Sequence, residues 1–386
     1  MELASPQTDL STSMTIEHID TPDLTLVREL WCELENRAPS NVFLSWFWIG
    51  TWLEVFVTDF ILVVAKSEHG VPIGLGIIVK TPSSSHLPGF EDYHLHRTGQ
   101  RDLDQIWIEY NDYLLDAELS DQLRPLLNQY VMDNVVKRGG FSIGVSKQEV
   151  LAHSGLSKHS QRTIWSTMAY RVNLHRYQSF SEYEKQTLSK NARYQIRRSK
   201  KRYQVMGGVK FTHYSAEQVD QFFKDCAPYH LERWGKSSGF NNPKFLDFHH
   251  RLAMKGVPQG IVQLVKVSAG EHHLGYIYNF HFNGCAYFYL SAFDYTFTDK
   301  HLKPGLVTHH MLIEAAQKSG FEYYDFMGGE LQYKRTLSDE EMSLEMRVYR
   351  NINFANSIKL AIDHAAVLRD RLTQSSPPTQ SRKKKN

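Results

Sequence analysis

The strongest pattern of apolar and polar positions lies between Cys285 and Arg335. Cys285–Phe293 reads CAYFYLSAF, a nearly unbroken aromatic and apolar run of the kind a buried strand carries. A polar connection follows over residues 294–303. Pro304 and Gly305 predict a helix start, because a proline in the first turn gives up no hydrogen bond. Leu306, Met311, Ile313 and Ala316 supply an uneven apolar face, and Gly320 suits the left-handed residue that often closes a helix. Tyr323, Tyr324, Asp325 and Phe326 form a second strand that ends at Gly328 and Gly329. Strand, helix and strand at this spacing require a crossover, so the two strands are expected to be parallel.

The same reading along the chain predicts helices over 24–35 and 45–56, the second capped by Ser45 and carrying Trp48, Trp52 and Phe56 as a buried stripe. A hairpin is expected over 61–65 and 71–79, and a Pro/Ser/Gly loop over 81–89. A strand and turn over 107–115 carries Glu109, Asn111 and Asp112. A helix over 119–138 and a strand over 141–145 complete the first part. Residues 155–166 are polar and suggest a domain boundary, with a new strand opening at 169. A long helix, capped by Ser181 and broken near Ser189, runs to Met206 on the seam Leu188, Ala192, Ile196, Ser199, Tyr203 and Met206. Helices over 218–233 and 245–254, strands over 261–267 and 274–282, and a hairpin turn at Asn283-Gly284 lead into the aromatic strand. A strand over 342–349 and an amphipathic helix over 356–372 follow. The fold class is therefore α/β, in the α+β sense. The expected units are an unstructured start at 1–13, a first domain over 14–165, a second over 166–372, and a basic tail over 373–386 too polar to fold.

Composition agrees with two folded units: 386 residues, 41% hydrophobic and 22% charged. A net charge of +2 demands no polyanionic partner. Cys32, Cys226 and Cys285 lie far apart, which excludes a zinc-finger spacing and a disulfide scaffold and fits a reducing compartment. The polar first residues do not read as a signal peptide, and no apolar run approaches the roughly 18 residues of a membrane helix. The expectation is a cytoplasmic protein whose tail lysines are solvated, or touch an anionic inner-membrane surface. The adjacent His249 and His250 point to different faces, so no metal is assigned.

Positive charge is local instead. Lys190, Arg193, Arg197, Arg198, Lys200, Lys201 and Arg202 surround the apolar seam with no acid between them. Such a face is either simply solvated or holds a phosphate-bearing partner. Lys300, His301 and Lys303 precede the helix start at Gly305 and Leu306, where free N–H groups and the dipole suit an anion. The plain alternative is an ordinary helix start.

Leu290-Ser291-Ala292-Phe293-Asp294, Pro304-Gly305, Asp325-Phe326, Gly328-Gly329-Glu330 and Tyr333-Lys334-Arg335 occur in one order. In this the chain resembles the GNAT-type acyltransferases of the CelD/BioF-like group, relatives of the FemABX aminoacyl transferases. The resemblance covers about 40–350 and is strongest after 180. It implies a GNAT-like mixed sheet flanked by helices and two tandem GNAT-like domains, the first degenerate. It also implies transfer of an acyl group, acetyl from acetyl-CoA or another acyl-CoA, to an amine such as an amino sugar, nucleotide- or lipid-linked, in surface polysaccharide biosynthesis. Lys300, Lys303, Gly305 and Leu306 are then the donor site. Lys190, Asn191, Arg197, Arg198, Asp325 and Tyr333 are substrate contacts. Asp294 or Glu330 is the base, chosen from Asp294, Asp325, Glu330 and His281, and Lys334 is the electrostatic group. The same family often has an acidic Asp-Tyr element near 107–115, whose carboxylates could hold an acceptor amine or hydroxyl; the plain alternative is ordinary turn polarity. The single glycine at the helix start departs from the usual pyrophosphate loop. That leaves open an aminoacyl-tRNA donor, or a non-catalytic module binding a nucleotide sugar or nucleic acid.

Overall fold

The computed structural model describes residues 14–83, 90–294, 296, 299 and 301–352. In chain order the elements are β1 (Met14–Asp20), α1 (Leu24–Glu35), α2 (Trp46–Phe56), β2 (Ile61–Ser67), β3 (Pro72–Pro82), β4 (Glu91–Leu95), β5 (Leu114–Leu115), α3 (Ser120–Tyr130), β6 (Phe141–Lys147) and α4 (Gln148–Ala152). There follow β7 (Ser160–Asn173), α5 (Phe180–Gln186), α6 (Lys190–Val205), β8 (Val209–His213), α7 (Val219–Trp234), α8 (Pro243–Gly256), β9 (Val262–Ala269) and β10 (His272–Phe282). β11 (Cys285–Phe293), α9 (Pro304–Lys318), β12 (Tyr323–Gly328), α10 (Gln332–Leu337) and β13 (Glu340–Arg350) close the described chain. The helix expected over 356–372, the two chain ends and Lys300 lie outside the described residues.

Local chemistry explains most of these elements. Ser45 accepts the Trp48 N–H at the start of α2, and Asn242 accepts the Lys244 N–H ahead of the proline that opens α8. Asn283 and Gly284 both have positive φ (43° and 70°), as a two-residue hairpin turn requires. Four expectations change. The long helix over 181–206 does break near Ser189, which caps its second half, but its first half is capped by Ser179 rather than by Ser181. A regular helix ends at Tyr130, followed by one wider turn over Val131–Val135. β7 starts at Ser160, so a strand runs through the polar stretch read as a boundary. Most of 107–115 is not strand; only Leu114–Leu115 pairs, on β3.

One mixed 13-stranded sheet carries everything, in the order β1-β2-β3-β4-β6-β13-β7-β12-β11-β10-β9-β8, with β5 beside β3. The element order repeats. A strand, two helices, three strands, a crossover helix and two further strands occur as β1-α1-α2-β2-β3-β4-α3-β6-β7 and again as β8-α7-α8-β9-β10-β11-α9-β12-β13. The last strand of each repeat sits beside the other repeat: β7 pairs with β12, and β13 with β6. On one face α1, α2, α7 and α8 share a single hydrophobic core across both repeats. On the other, α3 and α4 cover the first repeat, and α5, α6 and α9 the second.

In each repeat the parallel pair parts after a short contact. β11 and β12 pair only over Cys285–Tyr287 and Tyr323–Asp325. β4 and β6 pair only at Tyr93–Phe141 and His94–Ser142. In the first repeat the chain fills its own opening. The buried Asn111 donates its side-chain amide to Leu95 O (2.8 Å) and Gly144 O (3.0 Å), and its N–H to Val145 O (2.8 Å). Its carbonyl accepts the Ser146 hydroxyl. Between β11 and β12 no such segment is inserted among the described residues. Ligands in α/β sheets sit at the carboxyl ends of parted parallel strands, and in the second repeat no described segment fills that position.

Candidate active site

The plug of the first repeat carries the next two side chains across to the second. Glu109 Oε2 accepts the Gly328 N–H at 2.7 Å. Tyr110 donates its hydroxyl to Asp325 Oδ1 at 2.8 Å, and the same oxygen accepts the Met327 N–H at 2.6 Å. Tyr110 and Met327 both lie in the left-handed region (φ 54° and 60°). That conformation costs a residue with a side chain on the order of 1–3 kcal/mol, so it persists only where the surroundings enforce it. Here the shared Asp325 oxygen does so, and the bend turns the end of β12 away from β11.

Lys334, on the one-and-a-half-turn α10, points back into this bend. Its Nζ donates to Gly328 O at 2.5 Å and lies 3.5 Å from Met327 O. Glu109 and Lys334 are each only 6% exposed. Gly328 is what lets Glu109 approach, whereas at Gly329 a side chain would meet Lys334 only at ordinary contact distance. A Cβ on Gly328 would stand 2.9 Å from Glu109 Oε1, and one on Gly329 would stand 3.4 Å from Lys334 Nζ.

Burial dominates the electrostatics. It pushes the Glu109 carboxyl up to about 7, against the Gly328 N–H and the Lys334 charge, which pull it down; the Asp325 charge adds to the rise. It pulls Lys334 down to about 8, while Glu109 and then Asp325 act to raise it. Asp325 is itself raised by burial, opposed by the Met327 N–H and the Tyr110 hydroxyl. The cluster thus joins a carboxyl that burial raises and an amine that burial lowers, each drawn toward neutral pH.

The slot above them is bordered by α9. Gly305 stands beside the Phe293 ring at the end of β11. One turn on, His309 packs edge-on against Phe288 (4.3 Å between centroids) and stacks parallel on Tyr333 (4.9 Å, 4°). Its Nδ1 meets the Tyr324 hydroxyl at 2.9 Å. Burial, and then the Lys334 charge, hold this histidine at about 3, so it is neutral. Tyr333 is therefore an aromatic wall for α9.

Of the residues singled out from sequence, Asp325, Tyr333 and Lys334 come together here. Glu330 is exposed two residues beyond Gly328, and its charge acts on Arg335. Asp294 does not join them. Its carboxylate accepts the Thr296 N–H and hydroxyl, and its charge acts on Tyr229 and His273. His281 packs on Phe321 and is held at about 4, first by burial. At the start of α9, Lys303 is exposed and its N–H donates to Ser199 Oγ (3.0 Å) on α6, while Arg202 pairs with Asp299. The second half of α6, with Arg197 and Arg198, therefore borders Gly305 and Leu306. Lys190 and Asn191 sit roughly 13 Å further along that helix, at 1.5 Å per residue. Glu109 was read from sequence as one of the carboxylates of an acceptor-holding element or as turn polarity, and Tyr110 was not singled out. Nothing local marks a partner more than 200 positions away.

Among the described residues no group of His, Cys, Asp and Glu could hold a metal ion, and no helix is long and apolar enough to cross a membrane. Residues 190–335 match the family model of the acetyltransferase (GNAT) domain. The parted parallel pair β11 and β12 and the crossover helix α9 lie within that span and correspond to a GNAT-type acyltransferase domain. Solved structures agree on the fold. The crystal structure of FemX is 11% identical, with a TM-score of 0.57 over 87% of this chain and 98% of that one. L-PGS from Bacillus licheniformis is 11% identical, with a TM-score of 0.51 over 91% and 98%. A conserved protein of unknown function from Bacteroides thetaiotaomicron is 10% identical, with a TM-score of 0.51 over 87% and 100%. No curated protein matches the chain significantly.

Proposed function

We propose that the protein is an N-acyltransferase in which Glu109 is the base and Lys334 the electrostatic group. The observation that carries this reading is the buried Glu109–Lys334 pair at the mouth of the slot between β11 and β12. An acyl-CoA, acetyl-CoA first, lies in that slot with its pyrophosphate toward Gly305, Leu306 and Lys303, and it supplies an acyl thioester carbonyl. The space supports this: a Cβ at Gly305 would meet only ordinary contacts at 3.6 Å or more, and the first N–H groups of a helix have no partner one turn back. Glu109 Oε1 takes a proton from the acceptor ammonium, and the freed amine nitrogen attacks the carbonyl carbon. Lys334 lies where its charge can steady the oxygen that turns negative. The thiolate leaves with the C–S electron pair and takes up the second proton that the nitrogen sheds, so that a neutral amide and a free thiol result. Tyr110 and Asp325 act by holding the bend. Glu109 replaces Asp294 and Glu330 in the role of base because it alone of the three is buried beside Lys334.

The acceptor proposed is an amine on a sugar, as in surface polysaccharide synthesis, at a cytoplasmic site. A second reading, an aminoacyl-tRNA donor, is favoured by the exposed one-signed face of α6 (Lys190, Arg197, Lys201 and Arg202) bordering the start of α9. Calorimetric titration with acetyl-CoA, a longer acyl-CoA and charged tRNA tests the choice. Saturable acyl-CoA binding, weakened about tenfold in Lys303→Ala, supports the first reading. No acyl-CoA binding, with tRNA binding that weakens steeply with salt, replaces it by the second.

A further inference from the structure

Ile106 to Leu115 is a buried run with one conspicuous exception. Trp107 is 50% exposed, although Ile106 and Ile108 on either side are in the core. Its backbone is held in the left-handed region (φ 46°), a conformation an indole side chain does nothing to favour. The ring faces a second tryptophan, Trp165 on β7, with centroids 5.8 Å apart and planes tilted by 44°. A large apolar ring kept in water by a strained backbone, paired with another, is an arrangement that calls for a ligand.

The pair has a defined place relative to the chemistry. Trp165 and Ala169 belong to the core on the α2 and α8 face, whereas Tyr170 and Val172 belong to the core under α9. By the alternation of a strand, Thr167 shares the face of Trp165. A Cβ on Gly328 would meet both Thr167 Cγ2 (3.1 Å) and Glu109 Oε1 (2.9 Å), so the carboxyl lies against Thr167. Trp165 is two residues from Thr167, about 6.8 Å along the strand, and Trp107 is two residues from Glu109. The donor enters from the α9 face. On the opposite face the two rings stand two residues from Glu109 and Thr167 and border an approach to that carboxyl. The rim there is polar. Arg97 reaches Met346, the cross-strand partner of Trp165, and pairs with Asp104 at 3.0 Å.

We infer that Trp107 and Trp165 form the acceptor platform, and that the acceptor is the pyranose ring of an amino sugar. A pyranose has a face of C–H groups that stacks on an indole and a rim of hydroxyls that suits the Arg97 guanidinium, one-fifth exposed at that edge. A linear alkylamine has no such face, and a nucleic-acid or protein acceptor would need a wider surface than two rings. The inference rests on the acyl-transfer reading for the identity of the slot, but its test does not require turnover.

Saturation-transfer NMR with glucosamine, and with n-hexylamine as a ringless amine, reads the contact directly on the full chain. Glucosamine ring C–H protons are expected to receive saturation, n-hexylamine to receive none, and Trp107→Ala to lower the glucosamine affinity at least tenfold, with Trp107→Phe in between. Trp107 is half exposed, so the alanine variant folds, which circular dichroism checks. Equal transfer in wild type and Trp107→Ala, or transfer to n-hexylamine as strong as to glucosamine, overturns the platform, and so does absence of any glucosamine signal. An acyl-CoA titration run in parallel keeps that failure apart from failure of the transferase reading.

Discussion

Replacing Glu109 by glutamine separates function from stability with opposite signs. The carboxyl is buried, and burial is the largest cause that lifts it from 4.5 to about 7. At about 1.4 kcal/mol per pH unit, that interval is worth about 3 kcal/mol. A carboxyl raised in the folded state contributes stability that is fully present below 4.5 and is lost as pH rises through about 7. Glutamine is nearly isosteric, can still accept the Gly328 N–H, and does not titrate. Glu109→Gln should therefore match wild type near pH 4.5 and become more stable as pH rises, by up to about 3 kcal/mol at pH 8 and above. Urea unfolding at a series of pH values reads this directly. Loss of a general base costs on the order of 10²–10⁴ in rate, so the stabler protein should transfer acyl groups at least 100-fold more slowly. A stability difference that does not change with pH would mean that Glu109 ionises normally. A variant with wild-type turnover would remove it from the chemistry.

Four further outcomes follow from the same geometry. The transfer rate should rise through about pH 7 as Glu109 ionises and fall above about 8 as Lys334 loses its proton, with both apparent values belonging to the pair. Lys334→Met removes a charge that lowers the Glu109 pKa, so the residual activity should begin at a higher pH than in wild type. In Gly328→Ala the new methyl stands 2.9 Å from Glu109 Oε1; a cost of about 1–3 kcal/mol and a loss of turnover with acyl-CoA binding retained are expected in denaturation and calorimetry. Asn111→Leu leaves Leu95 O and Gly144 O without their donor; at about 1–3 kcal/mol for each unpaired buried group, the melting temperature and turnover should fall together.

Much of the fold was legible because its signals are local. Pro304 after a polar connection, Gly320 with its positive φ, and the Asn283-Gly284 turn act within a few residues, and the elements they punctuate stand where the pattern put them. The apolar seam of α6 was read from spacing, and Ser189 does cap it. The errors have one cause. Polarity suggested a domain boundary at 155–166, yet from Ser160 on those residues form an outer stretch of β7 supported by β13. A strand and turn were expected at 107–115, where the segment plugs an opening instead.

By itself the sequence determined the longer helices, the strands on either side of α9 and their parallel pairing, and the presence of Asp325, Tyr333 and Lys334 near one another, since all three fall within ten positions. Only the tertiary structure decided which acid joins them. Asp294 and Glu330 are nearer in the chain, but a strand end and a loop carry them elsewhere. Glu109 arrives because Asn111 anchors its segment between β4 and β6, and because Gly328 has no side chain to hold it off. Proton affinity was decided at the same level. A carboxyl titrates near 7 only when water is removed from around it, and no neighbour in the chain of Glu109 does that; the folded sheet does.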